Sequence, residues 1–283
     1  MFDGLIEGSI ASAICGVTKE SDVTEIRMRA GKPLVVQTLS GRFAVKHSGI
    51  FYIVSQADID KVIAKASNFS VYAVGDEMKR GYIPFGKYRI GIAGEGVMDD
   101  EKFLSVKNVS SLVIRVPHQV YSAAERVSGE VVNKPLSTLV ISPPGAGKTT
   151  MLRELARLAS KKFNTVVLDE RYELAAFASG KPALDVGDAD VVSGVPKSVA
   201  YETSVRALNP DVVVTDEVFS VGEIEAILDL LRTGVKVFAS VHGESVSSLE
   251  NNSRFAGLVR AFEYAVVLSK SHKIGEVVEE RRL

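Results

Sequence analysis

The chain has 283 residues, of which 46% are hydrophobic and 24% are charged, enough for one large domain or two modest globular ones. Its 34 Lys and Arg residues balance 35 Asp and Glu residues, so the net charge of −1 provides no overall attraction to nucleic acid or acidic lipid. The single cysteine excludes an internal disulfide, and no segment approaches the ~18 apolar residues of a membrane span or has the basic start of a signal peptide, so we expect a cytoplasmic protein.

Residues 1–120 are predicted to form a small α+β domain. Residues 23–38 are typical of two strands joined by a Gly- and Pro-containing turn. Residues 55–74 contain a predicted helix, because a serine of the N-cap type is followed by apolar residues at helical spacing. Residues 81–97 predict a hairpin, and residues 108–120 contain another strand, which a proline ends.

From residue 137 onwards, nearly apolar segments alternate with helical ones, which predicts a three-layer α/β domain with a mostly parallel sheet over residues 137–283. Residues 121–136 are predicted as a linker with helical potential, and the charged tail 276–283 as a solvated end. The predicted strands are residues 137–142, 165–170, 211–217, 236–242 and 263–269. The predicted helices lie in residues 149–162, 198–208 and 221–234.

The segment "SPPGAGKT" departs from the phosphate-binding pattern G-x-x-x-x-G-K-[ST] only at its first position, which is Ser142. It follows an apolar strand and opens a helix, as this motif requires. Gly145 and Gly147 allow backbone N–H groups to face phosphate oxygens, and the helix N-terminus adds partial positive charge. We expect Lys148 to contact the β- and γ-phosphates of ATP and Thr149 to bind Mg²⁺. The predicted nucleotide-binding residues of this segment are Ser142, Pro143, Pro144, Gly145, Ala146, Gly147, Lys148, Thr149 and Thr150.

Two acids, Asp216 and Glu217, end the buried strand 211–217. In open α/β sheets this end of a strand faces the ligand crevice. We expect Asp216 to hold Mg²⁺ through a water and Glu217 to orient or deprotonate the attacking water. The alternative is a pair of solvated acids at the end of a strand.

A second acidic cluster, formed by Asp169, Glu170 and Glu173, follows the strand 165–170. Such carboxylates can coordinate Mg²⁺, the role assigned to Asp169, or act on water, the role assigned to Glu170. A surface turn held by ion pairs with Arg171 explains the same residues.

His242 lies at the exit of a third strand. A neutral histidine there can sense the γ-phosphate or donate a hydrogen bond to the catalytic carboxylate. A purely structural histidine is the alternative.

Phosphoryl transfer often uses an arginine from another domain or subunit. Arg115 and Arg89 lie on predicted strands of the N-terminal domain, and we assign Arg115 to the nucleotide. Surface ion pairs are the alternative role for each arginine. The candidates are Arg27, Arg29, Arg89, Arg115 and Arg206.

The motifs "SPPGAGKTT", "LDERYEL", "NPDVVVTDE" and "ASVHG", in this order, resemble those of the secretion ATPases of type II and type IV systems. With "EIRMRAGKPL", "GYIPFGKYRIGIAGEG" and "LVIRVP", nearly the whole chain resembles the family of stage III sporulation protein AA. The resemblance makes Ser142 a family trait. It matches Asp169, Glu170 and Glu173 with an acidic box, Asp216 and Glu217 with a second acidic motif, and His242 with a histidine box.

The resemblance implies a RecA-like P-loop NTPase core with a mostly parallel sheet, preceded by a small α+β N-terminal domain that moves against it. It also implies a hexameric ring of identical subunits with ATP between them. The implied partners are integral membrane proteins of a secretion-like sporulation channel. The implied location is the mother-cell cytoplasm, at the membrane through those partners.

Two other functions fit parts of the sequence. A RecA-like core also occurs in nucleotide-dependent proteins that bind single-stranded nucleic acid, but the near-zero net charge argues against a nucleic-acid partner. A nucleotide-gated scaffold with little turnover needs the same phosphate-binding loop. A small-molecule kinase fits least, because no lid segment is evident and Glu217 occupies the position of a hydrolytic base.

Overall fold

The computed structural model describes residues 1–70, 74–99, 102–178 and 180–283. The chain divides into two units, unit 1 (Met1–His118) and unit 2 (Gln119–Leu283).

Unit 1 is built on an antiparallel sheet. Its strands are β1 (Val23–Arg29), β2 (Val35–Thr38), β3 (Gly41–Ala44), β4 (Lys46–His47), β5 (Ile50–Phe51), β6 (Tyr82–Phe85), β7 (Tyr88–Asp99) and β8 (Lys102–Arg115). Its α-helices are α1 (Gly8–Cys15), α2 (Gln56–Ala66) and α3 (Gly75–Lys79). The main sheet has the order β3-β2-β1-β8-β7-β6, and β4 and β5 form a separate pair.

Side-chain alternation gives this sheet one buried and one open face. Ile26 and Met28 of β1 are fully buried, whereas Arg27 and Arg29, which alternate with them, are partly exposed. The helix predicted within residues 55–74 begins where expected, because Ser55 and Asp58 form a capping box at the start of α2. It ends at Ala66, and residues 71–73 of the predicted stretch lie outside the described residues.

Unit 2 contains the mostly parallel sheet that the sequence predicts. Its strands are β9 (Thr138–Ser142), β10 (Thr165–Asp169), β11 (Phe177–Ala178), β12 (Lys181–Pro182), β13 (Asp190–Ser193), β14 (Val212–Glu217), β15 (Lys236–His242), β16 (Tyr264–Ser269) and β17 (Glu276–Arg282). Its α-helices are α4 (Glu125–Val131), α5 (Lys148–Ala159), α6 (Lys197–Ala200), α7 (Arg206–Leu208), α8 (Val221–Arg232), α9 (Val246–Glu250) and α10 (Ala256–Ala261), with a π-helical turn (Tyr201–Val205) between α6 and α7.

The sheet of unit 2 has the order β13-β10-β14-β15-β9-β16-β17 and is parallel up to the β16–β17 pair. Val140 and Val214 pack on the same side as helix α5, whereas Leu139 and Val213 pack on the side of α8, α9 and α10. Both faces of the central strands are therefore covered, which explains their nearly apolar sequences. The predicted three-layer arrangement is confirmed.

The C-terminal tail is not the solvated end that the sequence predicts. It forms β17, an antiparallel edge strand on β16 in which Val277 is buried. Some of its charged residues pair with α4: Arg126 donates to Glu280 at 3.0 Å, and Arg282 pairs with Glu130. The prediction missed the strand because charged residues occupy both its partly buried and its exposed positions, which hides the alternation. The segment predicted as a linker contributes Val127 of α4 to the same core.

Candidate nucleotide-binding site

The loop between β9 and α5 has the backbone of a phosphate-binding loop. Gly145 and Gly147 have φ angles of 75° and 97°, the left-handed region that glycine adopts most readily. Ser142 is still within the extended backbone of β9, so no glycine is required there, and its hydroxyl donates to the carbonyl of the next residue at 2.9 Å. The loop and the first turn of α5 contain the other residues predicted for this segment: Pro143, Pro144, Ala146, Lys148, Thr149 and Thr150.

Lys148 is the first residue of α5 and is 8% exposed. Its ammonium group donates to the carbonyl of Ser142 at 3.2 Å and contacts Nδ1 of His242 at 2.9 Å. An ammonium group has only donors, so Nδ1 is the acceptor and the ring proton of His242 lies on Nε2. Nε2 is 2.9 Å from a carboxylate oxygen of Glu217, to which it donates. Burial lowers the pKa of Lys148, and the charges of Glu217 and Glu173 oppose this.

Lys148, His242 and Glu217 therefore form a hydrogen-bonded chain across the exits of three neighbouring strands. In the sheet, β15 lies between β9 and β14, so His242 at its end stands between the loop lysine and the β14 carboxylate. The sequence predicted that these exits meet. It gave the hydrogen bond between His242 and the carboxylate as one alternative, but it did not predict the contact between Lys148 and His242.

A β-bulge positions the acids at the end of β14. Val214 pairs with Phe238 and Glu217 with Ser240, so three steps along β14 match two along β15. Bulges redirect side chains and are common beside active sites. Here the side chain of Glu217 contacts His242 at the end of β15, while that of Asp216 faces Lys197.

Asp216 is 4% exposed and forms an ion pair through Oδ1 with Lys197, which is 1% exposed. Its Oδ2 accepts no hydrogen bond from the residues that the structure describes. Burial raises the pKa of Asp216 to about 7, although Lys197 opposes the shift. Because a buried carboxylate oxygen without a donor is costly, this oxygen is a good candidate for a cation ligand.

The first acid of the other cluster is held by the backbone. Oδ1 of Asp169 accepts the N–H groups of Glu173 and Leu174 at 2.7 and 3.0 Å. Oδ2 accepts those of Ala175 and Ala176 at 2.9 and 3.1 Å. Asp169 is fully buried, and burial raises its pKa while these N–H groups oppose the shift. Its contacts order the loop after β10, and its predicted role as a metal ligand stays a prediction.

Helix α5 holds the same loop from another side. Arg153 is 3% exposed and donates to the carbonyls of Leu174 and Glu173 at 2.6 and 2.8 Å. Glu170, the predicted catalytic acid of this cluster, is partly buried at the start of the loop. Helix α5 and the acidic loop are thus connected through Arg153, a contact that the sequence did not predict.

The residues present fit Mg²⁺ that arrives with a nucleotide. Among the residues that the structure describes, no group of three or more His, Cys, Asp or Glu side chains is arranged to hold a metal ion by itself. Nucleotide-bound Mg²⁺ commonly takes one or two protein carboxylates plus phosphate oxygens and water. The free oxygen of Asp216 and the hydroxyl of Thr149, in the first turn of α5, can supply oxygen ligands of this kind.

A cavity of about 630 Å³ lies beside the phosphate-binding loop, within unit 2. Gly147, Thr150 and Met151 contribute to its wall, together with residues from the α4 region and from the β16–β17 turn. One carboxylate oxygen of Glu276, also in the wall, is buried and has no partner among the described residues. This cavity is not evident from the sequence, because most of its wall lies outside the motifs, in residues 120–126 and 268–277.

Arg115, predicted to contact the nucleotide, lies on the open face of the unit 1 sheet. With Arg27 and Arg89 it lines a cavity of about 330 Å³ on neighbouring strands. Arg27 pairs with Glu25, and Arg89 lies 4.2 Å from the ring centre of Tyr82. The role of Arg115 at the nucleotide stays a prediction.

Two solved structures have a similar fold. The pilus retraction motor PilT with bound ADP matches with a TM-score of 0.63 and 14% identity, over 91% of this chain and 76% of that one. The Legionella pneumophila ATPase DotB matches with a TM-score of 0.52 and 13% identity, over 87% of this chain and 72% of that one. The predicted fold class, a RecA-like P-loop NTPase core with a mostly parallel sheet after a small α+β unit, is confirmed. No helix in the described part of the chain is both long and apolar enough to cross a membrane.

Sequence comparisons identify the family. The family model described as "Sporulation stage III, protein AA" matches residues 9–281. Stage III sporulation protein AA of Bacillus subtilis is 31% identical over 267 residues, which is 90% of this chain and 85% of that protein. Protein SEEDLING PLASTID DEVELOPMENT 1 of Arabidopsis thaliana is 23% identical over a region that covers 92% of this chain and 36% of that protein. The resemblance read from the motifs is therefore confirmed: the chain belongs to the family of sporulation stage III protein AA.

Proposed function

We propose that this chain binds ATP with Mg²⁺, hydrolyses the ATP, and acts as a motor subunit of a secretion-like membrane complex. The observation that carries the proposal is the chain of hydrogen bonds from Lys148 through His242 to Glu217. It joins the loop lysine expected on the transferred phosphate to the carboxylate expected on the attacking water. An accidental Gly-rich turn has no reason to be connected to two other strand exits in this way.

The loop and the start of α5 supply the phosphate site. The first N–H groups of a helix have no carbonyl partner within the helix, and they carry a partial positive charge. The left-handed Gly145 and Gly147 add further N–H groups that can face an anion. This site holds phosphates by charge and geometry without a covalent step, as phosphoryl transfer requires.

Lys148 changes partners in the proposed cycle. In the structure its ammonium group is held by the neutral acceptors of Ser142 and His242. Phosphate oxygens are charged acceptors and bind an ammonium group more strongly. When Lys148 turns to them, Nδ1 of His242 loses its donor while Nε2 still donates to Glu217. His242 can therefore report phosphate binding to the catalytic carboxylate.

Glu217 orients the water and accepts its proton, and His242 holds the carboxylate in place. Thr149 and Asp216 are the proposed Mg²⁺ ligands. Mg²⁺, when bound, neutralises the charge that develops on the β- and γ-phosphate oxygens. Glu170 and Glu173 lie on the loop that Asp169 and Arg153 hold in place. The cavity beside the loop is the proposed site of the adenosine moiety.

The assembly is proposed from the family and the fold. We infer a ring of identical subunits, with six as the expected number, in which Arg115 or another arginine of unit 1 contacts ATP. The expected partners are integral membrane proteins of a sporulation channel, and the expected location is the mother-cell cytoplasm beneath it. Sedimentation of the protein with and without ATP tests the ring, since a mass that stays monomeric in both conditions contradicts it.

Phosphate release by the purified full-length chain tests the hydrolytic activity. We expect release that requires both ATP and Mg²⁺, and that Lys148→Ala abolishes. Lys134→Ala is the matched control, because Lys134 is an exposed lysine outside the site. Equal rates for wild type and Lys148→Ala would show that the site does not hydrolyse ATP.

A further inference from the structure

Lys197 is a buried charge to which neither the sequence motifs nor the proposed reaction assigns a role. It is the first residue of α6 and is 1% exposed. Its ammonium group contacts Oδ1 of Asp216 and the backbone carbonyl of Glu217. A carboxylate oxygen of Glu223 lies 3.5 Å away. Lysine is among the residues least often fully buried, so this position needs a reason.

Lys197 has three oxygen atoms around its ammonium group. An ammonium group has three N–H donors and no acceptor, and here three oxygen atoms face it. Two come from successive residues at the end of β14, and the third comes from the start of α8. Since burial of an unpaired ammonium group is very costly, the three contacts hold the two elements together at one point.

Glu223 fixes the third contact. One oxygen of its carboxylate accepts the N–H groups of Phe219 and Ser220 at 2.8 and 2.7 Å, in the capping box that starts α8. The other oxygen faces Lys197. The ammonium group is therefore held against a rigid helix start and not against a mobile side chain.

We propose that Lys197 is a positioning residue of the nucleotide site, and this rests on the proposed ATPase function. It holds one oxygen of Asp216 and so presents the other, which has no partner among the described residues, as an oxygen ligand for Mg²⁺. Through the carbonyl of Glu217 it also fixes the backbone that carries the proposed base. One side chain thus sets the positions of both acids.

A second ion pair in unit 2 shows how a simple structural lysine differs. Lys236 contacts both carboxylate oxygens of Glu263 at 2.8 Å, but its side chain is 35% exposed. It lies at the start of β15, whereas the site residue His242 lies at the end of that strand. Lys236 contacts no proposed site residue. It provides a matched control for removing a lysine from an ion pair in the same unit.

The test compares Lys197→Met, Lys197→Arg and the control Lys236→Met with wild type in the full-length chain. Three quantities are measured: binding of a fluorescent ATP analogue in EDTA, the kcat and KM of phosphate release, and the Mg²⁺ concentration for half-maximal rate. Circular dichroism melting shows whether each variant folds. Binding without metal depends on the phosphate loop, so it separates damage at Asp216 and Glu217 from loss of the whole site.

For Lys197→Met we expect ATP binding in EDTA close to that of wild type. We expect a fall in kcat and a rise in the half-saturating Mg²⁺ concentration, each about 10- to 100-fold, as for residues that orient metal ligands. Arginine keeps the charge, but its planar guanidinium cannot direct three donors as an ammonium group does. Lys197→Arg should therefore fold and show the same losses in part. Lys236→Met should match wild type.

The outcomes separate this inference from the proposed function. If wild type releases no phosphate, the ATPase proposal fails first. If wild type is active and a folded Lys197 variant keeps its kcat and its Mg²⁺ dependence, the positioning role is wrong while the ATPase proposal stands. If Lys197→Met does not fold, Lys197→Arg decides, and wild-type behaviour of that variant overturns the inference. Equal losses in the Lys236→Met control also overturn it.

Discussion

Replacing Asp169 by asparagine should release the acidic loop from the sheet. Both carboxylate oxygens of Asp169 accept backbone N–H groups, two each, from Glu173 to Ala176. Asparagine keeps the shape and one oxygen. Its NH₂ group, however, must face two N–H donors, so two buried hydrogen bonds are lost without replacement.

The magnitude follows from the contacts. A hydrogen bond to a charged group contributes about 1.5–3 kcal/mol, so the loss of two amounts to about 3–6 kcal/mol. Burial raises the pKa of Asp169, which means that removing its charge recovers part of this loss. We therefore expect the closed loop to be less stable by a net of about 2–3 kcal/mol, which increases its opening equilibrium about 30- to 160-fold.

Hydrogen exchange measured by mass spectrometry on a peptide covering residues 170–178 tests this directly. Exchange of that peptide should become about 30- to 160-fold faster in Asp169→Asn, if exchange proceeds through local opening. Asp229→Asn is the control: its partner Arg232 and Asp229 itself are both about three-quarters exposed, and such pairs contribute little. Unchanged exchange at residues 173–176 would refute the assigned role of Asp169.

Three further predictions concern single residues. His242→Ala breaks the chain between Lys148 and Glu217, so kcat should fall by about 100-fold while ATP affinity changes little; an unchanged kcat contradicts the chain's role. Burial raises the pKa of Asp216 to about 7, whereas an Asp in the unfolded chain titrates near its ordinary pKa of about 4. Between about pH 4 and 7 the native protein therefore holds a proton on this group that the unfolded protein has lost. Nucleotide-free protein should therefore gain stability from this group as the pH falls from about 8 to 5, and thermal melts of Asp216→Asn should lack that gain. Gly129→Ala, at an exposed position in α4 where a methyl group meets no atom within 4 Å, should stabilise the protein by about 0.5–1 kcal/mol in urea titrations.

The sequence predicted the central sheet well because central parallel strands are buried on both faces and so are nearly apolar. The first and last residues of β9 and of β14 all lie within one residue of the predicted bounds. The loop residues Gly145 and Gly147 were predictable for a related reason, since left-handed backbone restricts the choice of residue. Where local chemistry dictates local structure, the sequence is sufficient.

Interactions between distant segments were much harder to predict. Lys197 follows a proline in a segment with no motif, and nothing in its neighbours indicates that it is buried against Asp216, which lies 19 positions further along the chain. The sequence grouped Asp169 with other acids, although its partners are backbone N–H groups, which have no sequence signature. The tail that forms β17 was missed because its many charges obscured its alternation.

The most direct test of the account compares wild type with Glu217→Gln, in a single-turnover measurement of phosphate release with Mg²⁺ and a calorimetric titration with ATP. Glutamine keeps the size of the side chain but cannot take the proton of the attacking water. We expect both proteins to bind ATP with similar affinity, and the variant to release phosphate at least about 100-fold more slowly. Equal release rates, or no uptake of ATP by either protein, would contradict the account.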